Sequence, residues 1–561
     1  MVIRLFSRQG RLTPTAWAVL VLICCAFFLP GLVSLPPTDR DESSFAQATK
    51  QMIETGNYID IRLQNEPRYQ KPIGIYWLQS VAVRWLNPAH LTEIWAYRVP
   101  SFLGATVAVL ATAALGVLLF SAEAGFLAAI LLASCFLLNA EARLAKTDAT
   151  LLACVTLAML ALASVFVRKK GTIGHFFLFW TALAVGILIK GPIILLPVAG
   201  VLGWFAVLRR MEKKENGKDG EGFRSYVLPF RNLKPFWGVL WLALLVSPWF
   251  IVIALQSHGA FFQHSAGHDL VAKIWQGQNR GFMPPGLYVA AFLANFFPFS
   301  LFTFFALPDV WKNRRDPAVA FCLGWIVPAW LVFELSSTKL PHYVLPIYPA
   351  LALLTAHFFL KGFPALASVR RWFVALGVGV WMMVGMGLAV GFALLPFFID
   401  DRWDAQAIGA SVLLILSQSA GLFLFLRHRW AGVCVLALGS LFFVGMTCGA
   451  TLPSLEKLWL SRAVMQRVTE TSPCPAPQLM TLGYHEPSLV FLAGTQTLKA
   501  SDAAEAAIAL QQDGCRIVLV DSTHEKAFLD ASAPLSPRLL GRVQGVTGHG
   551  GRQELTLYGA R

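Results

Sequence analysis

The sequence predicts a mainly α, polytopic membrane protein of about thirteen transmembrane helices, followed by a small C-terminal α/β domain outside the cytoplasm. Three observations carry that fold class. The 561 residues are 56% hydrophobic and only 14% charged, with 18 Trp and 42 Phe, whereas soluble chains are about a quarter charged. Apolar runs long enough to cross a bilayer recur between residues 15 and 451. Beyond residue 451 the pattern changes to short strand-like and helix-like runs.

The apolar runs lie near 15–35, 98–120, 125–140, 150–168, 173–190, 192–208, 236–256, 286–307, 317–335, 343–360, 372–397, 409–426 and 431–451. Arg4, Arg8 and Arg11 precede the first run, which places the N-terminus in the cytoplasm. No small-residue cleavage site follows that run, so it reads as an anchor rather than a signal peptide. Alternating sides from there puts 168–170, 209–234, 312–315, Lys361 with Arg370 and Arg371, and 427–429 inside as well. These segments and the N-terminus hold 22 Lys and Arg, against seven in the short outside loops: Arg143, Lys146, Lys190, Lys273, Arg280, Lys339 and Arg402. That bias is the one expected of cytoplasmic loops. It also disposes of a nucleic-acid partner for the net charge of +15, because the cations are spread between apolar runs and form no basic face.

An odd number of spans puts the tail outside. The chain therefore divides into a membrane domain, 1–451, and a soluble α/β domain, 452–561. In the tail, MTLGYHEPSLVFLAG, AAEAAIALQQDGCRIVLVDS and RQELTLYGAR alternate strand-like runs with one helix-like run. Seven of the nine cysteines sit in apolar runs as small buried hydrophobes. Cys474 and Cys515 fall in the tail, where an oxidising compartment leaves two readings, a disulfide or two free thiols.

The outside loops carry the candidate chemistry. Loop 36–97 opens with PPTDRDESSF directly after the first span, placing Asp39, Asp41 and Glu42 at the membrane face, where ionised groups are costly unless they bind or react. It continues with Arg68, Tyr69 and Lys71 in RLQNEPRYQKPIGIYW. EARLAKTDAT supplies Arg143, Lys146 and Asp148; ILIKGP supplies Lys190; SSTKLPHYVLP supplies Lys339, His342 and Tyr343; and the 256–285 loop supplies Arg280. Carboxylates and scattered cations on one membrane face suit a phosphorylated lipid. Simpler readings stand beside these. Asp148 suits a helix N-cap, Lys71 and Lys190 suit snorkelling side chains, and Tyr76, Trp77, Trp95 and Tyr97 suit an interfacial aromatic belt. His264 and His268 are four apart, which suits a divalent metal if that stretch is helical, with Glu42 as a further ligand. No Walker motif, zinc ribbon or serine triad occurs, so any chemistry needs a pre-activated substrate.

The DE pair after the first span, the KP-x-x-x-YW stretch, the Asp after the third span, the KGP turn and the KLPHYVLPIYPAL segment together resemble the polytopic GT-C glycosyltransferases. Within that class the chain is similar to the bacterial aminoarabinose transferases of lipid A, relatives of the protein O-mannosyltransferases. The likeness covers roughly 36–355. It implies a donor sugar, 4-amino-4-deoxy-L-arabinose, carried on undecaprenyl phosphate, a lipid A acceptor, and an active site on the periplasmic face of the bacterial inner membrane, with loop 36–97 as one wall. It also implies Asp41 and Asp148 as the catalytic acids and Lys71 as a phosphate ligand. Two positions depart from the family: Gln70 stands where relatives carry an acid, and Ser44–Phe45 where they carry Arg-Tyr.

A polyprenyl-phosphate sugar needs only stabilisation of its leaving phosphate, which fixed cations in a partly dry pocket supply. No cofactor is then required. A hydroxyl acceptor would need Asp41 or Asp148 as general base; a phosphate acceptor is already a nucleophile, and the acids would orient the sugar or hold its ammonium group. Three other readings stand beside this one: a related transferase moving a different sugar or acting on protein or another glycan; a lipid-sugar flippase, which would line a path through the spans with cations; and a structural or assembly protein, which the charge clustered in the outside loops disfavours.

Overall fold

The computed structural model describes residues 5–7, 10–169, 171–216, 228–265, 284–427, 429–472, 474–512, 515–548 and 550–560. Thr13 caps the first helix, α1 (Pro14–Phe28), by accepting from the Ala16 amide, and Pro14 occupies its first turn. Fifteen residues are short for a bilayer, and the chain goes on through turns to Leu35, whose amide donates to the Gly31 carbonyl.

The 36–97 segment is not a plain loop. It folds into α2 (Asp41–Thr55), a two-stranded hairpin β1 (Arg62–Leu63) and β2 (Glu66–Pro67), and α3 (Gly74–Leu86). Tyr76 and Tyr97 are fully buried there rather than forming an interfacial belt. Their hydroxyls are satisfied inside the protein, Tyr76 by Arg68 at 2.6 Å and Tyr97 by the Leu91 carbonyl at 2.8 Å.

The bundle continues with α4 (Trp95–Leu119), α5 (Ala122–Ala133), the short α6 (Phe136–Glu141), α7 (Asp148–Arg168), α8 (Ile173–Lys190), α9 (Leu195–Asn216) and α10 (Pro235–Gln256). Then follow α11 (Leu287–Asn295), α12 (Ser300–Lys312), α13 (Pro317–Leu335), α14 (Tyr348–Lys361), α15 (Arg371–Asp400), α16 (Ala405–Arg427) and α17 (Arg429–Met446). Among the described residues, nine helical stretches are long and apolar enough to cross a membrane, and α1 and α5 are shorter apolar helices. One of the nine, Ile173–Met211, joins α8 to most of α9. The apolar run at 286–307 is divided between α11 and α12, where Pro298 lacks the N–H that would continue a helix.

Burial ranks the helices. The apolar windows of α7 and of the stretch Pro341–Lys361, which contains α14, are each 83% buried and that of α10 only 17%, so α7 and α14 lie at the centre of the bundle and α10 at its outside. Two glycines set the approach of elements that meet at the ends of α7 and α8. A Cβ on Gly104 of α4 would lie 2.7 Å from the Thr150 Cα, and one on Gly74 of α3 would lie 2.7 Å from the Leu188 carbonyl oxygen, so both contacts require a missing side chain.

The tail forms a five-stranded sheet in the order β4 (Leu498–Lys499), β3 (Gln478–Leu482), β5 (Arg516–Asp521), β7 (Arg552–Gly559), β6 (Arg538–Val546). β4, β3 and β5 run parallel, and β7 joins them antiparallel. Helices α18 (Leu460–Thr471), α19 (Pro487–Ala493), α20 (Ala503–Gln512) and α21 (Glu525–Ser532) accompany it. Cys474 and Cys515 are joined as a disulfide, with Cα atoms 5.7 Å apart.

Candidate active site

Asp148 is the first residue of α7 and Lys190 the last of α8. Each therefore stands where a helix ends and the chain turns, and a carboxylate at a helix N-terminus is favoured by the helix dipole. Lys190 Nζ donates to Asp148 Oδ1. Lys146, in the turn before α7, lies 3.1 Å from Glu141 Oε1 and 4.0 Å from Asp148 Oδ2. His342 Nδ1 lies 3.7 Å from the same Glu141 oxygen, and the Lys190 ammonium stands 5.4 Å from the centre of the Tyr343 ring. Segments 141–148, 190 and 342–343, remote in sequence, thus meet at one end of α7.

The cluster is buried but not closed off electrically. Asp148 and Glu141 are each 4% exposed and Lys146 8%. Burial pushes the Glu141 carboxyl up to about 7 against the pull of Lys146, with Asp148 adding to the rise. Burial opposes the Lys146 charge too, yet Glu141, Asp148 and Asp41 hold it above the ordinary lysine value. Asp41, exposed at the start of α2, makes no hydrogen bond among the described residues, and its charge is felt at Lys146, His342 and Tyr76. The two expected acids therefore act on the same basic groups, Asp148 from the buried side and Asp41 from the open one.

The other expected residues scatter around this cluster. Lys71 is half-buried, and its Nζ donates to the Gln70 carbonyl at 3.1 Å. Tyr69 turns inward, donating to Asp60 at 2.9 Å and lying edge-on to Phe261 and His264. Lys339 is buried, with Nζ 2.9 Å from the Ser336 carbonyl. Arg143 points away from Asp148: its guanidinium donates to the carbonyls of Phe27, Pro30 and Asn139, tying α6 to the end of α1. Arg280 and His268 lie outside the described residues.

Glu42, expected among the catalytic acids and as a metal ligand, is placed otherwise. It is fully enclosed and forms a two-toothed pair with Arg98 of α4, Nε–Oε1 at 2.7 Å and Nη2–Oε2 at 3.0 Å. It also accepts from the amides of Thr38 and Ala145 and from the Thr38 hydroxyl, each at 2.9 Å. Arg98 spends its remaining donors on the carbonyls of Leu32, Leu35 and Pro36. Both oxygens of Glu42 are occupied, so the pair fastens the exit of α1, α2 and the turn before α7 into one unit.

With Glu42 committed and His264 exposed beside Tyr69, the described members of the expected metal set do not assemble. Glu141, Asp148 and His342 could hold a cation instead, since their ligand atoms fall within 4.8 Å of one another. Lys190 already pairs with Asp148 and Lys146 already donates to Glu141, so a metal would compete with two ammonium groups.

Sequence reasoning missed Arg98 and Glu141. Each carries a signal: an arginine three residues into a 25-residue apolar helix, and an acid ending the six-residue FLLNAE helix at the close of an apolar run, are both expensive unless partnered. Arg68, expected with Tyr69 and Lys71 among the charges of the 36–97 segment, turns inward: it donates to Tyr76 and lies 4.4 Å from the centre of the Phe45 ring.

Comparison with known proteins fits this geometry. A family described as dolichyl-phosphate-mannose-protein mannosyltransferase matches residues 70–218, the stretch that holds Lys71, Glu141, Lys146, Asp148 and Lys190. An uncharacterised protein of Aquifex aeolicus is 26% identical over 392 residues, 68% of this chain and 73% of that protein. The undecaprenyl phosphate-alpha-4-amino-4-deoxy-L-arabinose arabinosyl transferase of Erwinia tasmaniensis is 26% identical over 426 residues, 74% of this chain and 72% of the relative. Among solved structures, ArnT from Cupriavidus metallidurans, crystallised with undecaprenyl phosphate, superimposes with a TM-score of 0.70 at 16% identity, over 97% of this chain and 98% of that one. The apo oligosaccharyltransferase of Archaeoglobus fulgidus gives 0.51 at 11% identity, over 90% of this chain and 69% of that one. The chain has the fold of these polytopic membrane proteins.

Proposed function

We propose that this chain is an integral membrane glycosyltransferase that moves a sugar, 4-amino-4-deoxy-L-arabinose, from undecaprenyl phosphate to lipid A on the periplasmic face of the inner membrane. The observation that carries the reading is the buried Asp148–Lys190–Lys146–Glu141 constellation in a chain with the fold of ArnT. A membrane-level pocket keeps this many ions only if they offset one another and a bound anion.

An ammonium group has three donors, so Lys146 and Lys190 can hold their carboxylates and still donate to a phosphate. In the reaction a lipid A phosphate oxygen bonds to the anomeric carbon as the bond from that carbon to the donor phosphate oxygen breaks. Undecaprenyl phosphate leaves with the electron pair and gains negative charge, which the fixed lysines stabilise in a site poor in water. The nucleophile is already an anion, so no base is required of Asp41 or Asp148. Asp148 holds Lys190 in place, and the open Asp41 carboxylate receives the sugar's ammonium group. The positive charge comes from side chains, and no divalent cation is required. Among the described residues, Lys146 and Lys190 gather at one end of α7 and no row of cations lines a path through the bundle, which favours transfer over flipping.

Purified full-length protein incubated with labelled undecaprenyl-phosphate aminoarabinose and lipid A should give lipid A heavier by one sugar, with or without a chelator. Product on protein or another glycan instead would reassign the acceptor. Near-normal transfer by well-folded Asp41→Asn and Asp148→Asn variants would sink the site assignment. A reporter active only in the periplasm, fused after Arg561, should be active and so test the orientation.

A further inference from the structure

The Asp41 carboxylate has no hydrogen bond among the described residues to fix it, so its place is set by the turn that carries it. That turn is strained: Arg40 has φ +65° and ψ −106°, and a residue with a side chain holds such a conformation only where its surroundings impose it. On one side the turn is tied into the membrane domain, with the Ser44 amide donating to the Arg40 carbonyl and Thr38 held by Glu42. On the other side the partner is the tail.

Ser488, in α19, donates its hydroxyl to Asp39 Oδ1. Its Oγ is also 2.6 Å from Ser461 Oγ, which is 2.9 Å from the Tyr484 hydroxyl, and all three residues are buried. The β6–β7 loop closes the same turn, since a Cβ on Gly548 would lie 3.1 Å from the Asp39 Cβ. The tail does not merely rest there. Phe491 of α19 is fully buried in a cluster with Ala46 of α2, Tyr97 of α4 and Ala145, and Lys50 of α2 donates to its carbonyl at 3.1 Å. A domain anchored by a buried aromatic can hold the position of what it touches.

We infer that the tail domain holds the Asp39–Asp41 turn in its working geometry through the Ser488–Asp39 hydrogen bond, which makes Ser488 a positioning residue for Asp41. This rests on the assignment of Asp41 proposed above. The domain acts without reaching substrate: it sets where Asp41 meets the sugar, so its loss lowers turnover and leaves the donor's phosphate contacts, made by other residues, intact.

The test uses the full-length protein with labelled undecaprenyl-phosphate aminoarabinose and lipid A. Ser488→Ala should lower kcat on the order of tenfold, within the ~100-fold that a misplacement of ~1 Å can cost, with the donor KM and the Tm unchanged. Asp39→Ala should do the same, the double variant should be no worse than either alone, and Asp39→Asn, whose amide oxygen still accepts from Ser488, should recover most of the lost rate. A normal kcat in Ser488→Ala, while Asp41→Asn is inactive, overturns this inference and leaves the Asp41 assignment standing. Normal rates in both overturn the assignment itself. A fall in Tm in Ser488→Ala that accounts for the lost activity, or additive losses in the double variant, makes Ser488 a packing residue and overturns the inference as well.

Discussion

Lys190 donates to Asp148 across the gap between the last residue of α8 and the first of α7, so two helix ends hold opposite charges against each other in a buried site. Asp148 keeps a second cation, Lys146, at 4.0 Å. Loss of Lys190 therefore leaves the carboxylate partly compensated, and the fold should survive it. Lys190→Met should cut transfer by ~100-fold, the usual scale for a charge-stabilising group, with Lys190→Arg recovering part of it. Steady-state rates with the undecaprenyl-phosphate donor check this, and near-normal turnover in Lys190→Met would remove Lys190 from the site.

Arg98 and Glu42 should behave differently. Removing one partner of a buried pair leaves an uncompensated charge, at about 3–5 kcal/mol. Arg98→Ala should be detected as a lower Tm and poor recovery from membranes. An Arg98→Ala protein of wild-type stability but no activity would return this pair to the catalytic machinery.

Glu141 gives a pH signature. Its value of about 7 in the fold exceeds the ordinary 4.5, so its preference for the neutral form stabilises the fold fully below about 4.5 and is lost as pH rises through about 7. Wild-type Tm should fall between pH 5 and pH 8 more steeply than that of Glu141→Gln, which cannot ionise. Parallel Tm profiles for the two proteins would contradict the burial argument. The Oε2 of Glu141 has no hydrogen-bond partner among the described residues, in keeping with a group that resists ionisation.

The Cys474–Cys515 bond closes a sequence separation of 41 residues, worth about 4 kcal/mol in the chain-entropy account. Reduction, or a Cys474→Ser, Cys515→Ser pair, should lower the unfolding temperature of the tail and make it the first part cut by protease. Both thiols freely alkylated in native protein would show the bridge absent.

Residues 36–97 show where pattern reading reached its limit. The charge at Asp41 was visible because it follows an apolar run, but the helices α2 and α3 were not: α2 buries a mixed polar and apolar surface against its neighbours, and α3 is too short to register as a span. In the tail, β5 announced itself by the apolar run IVLV and β7 by the interleaved Leu555, Leu557 and Tyr558. β6 did not: it pairs with β7 alone, at the sheet edge, and its RLLGRVQGV is mostly exposed or half-buried, so no apolar stripe marks it.

Composition, apolar run length and the placement of Lys and Arg determined that this is a helical membrane protein with a soluble α/β tail, because lipid demands continuous apolar helices whatever the neighbours are. Residue chemistry at the loop edges marked Asp39, Asp41 and Glu42 together, and Lys146, Asp148 and Lys190 among the outside charges, without separating one acid from its neighbours. Only the tertiary structure decided which charges meet. Glu42 and Asp41 are adjacent in sequence, yet one is sealed against Arg98, 56 positions away, and the other stands open. Arg143 and Lys146 share one turn, yet the first fastens α1 and the second joins Asp148. The reason is that a charge's role depends on the direction its side chain takes and on partners brought by other helices, and neither is written in local periodicity.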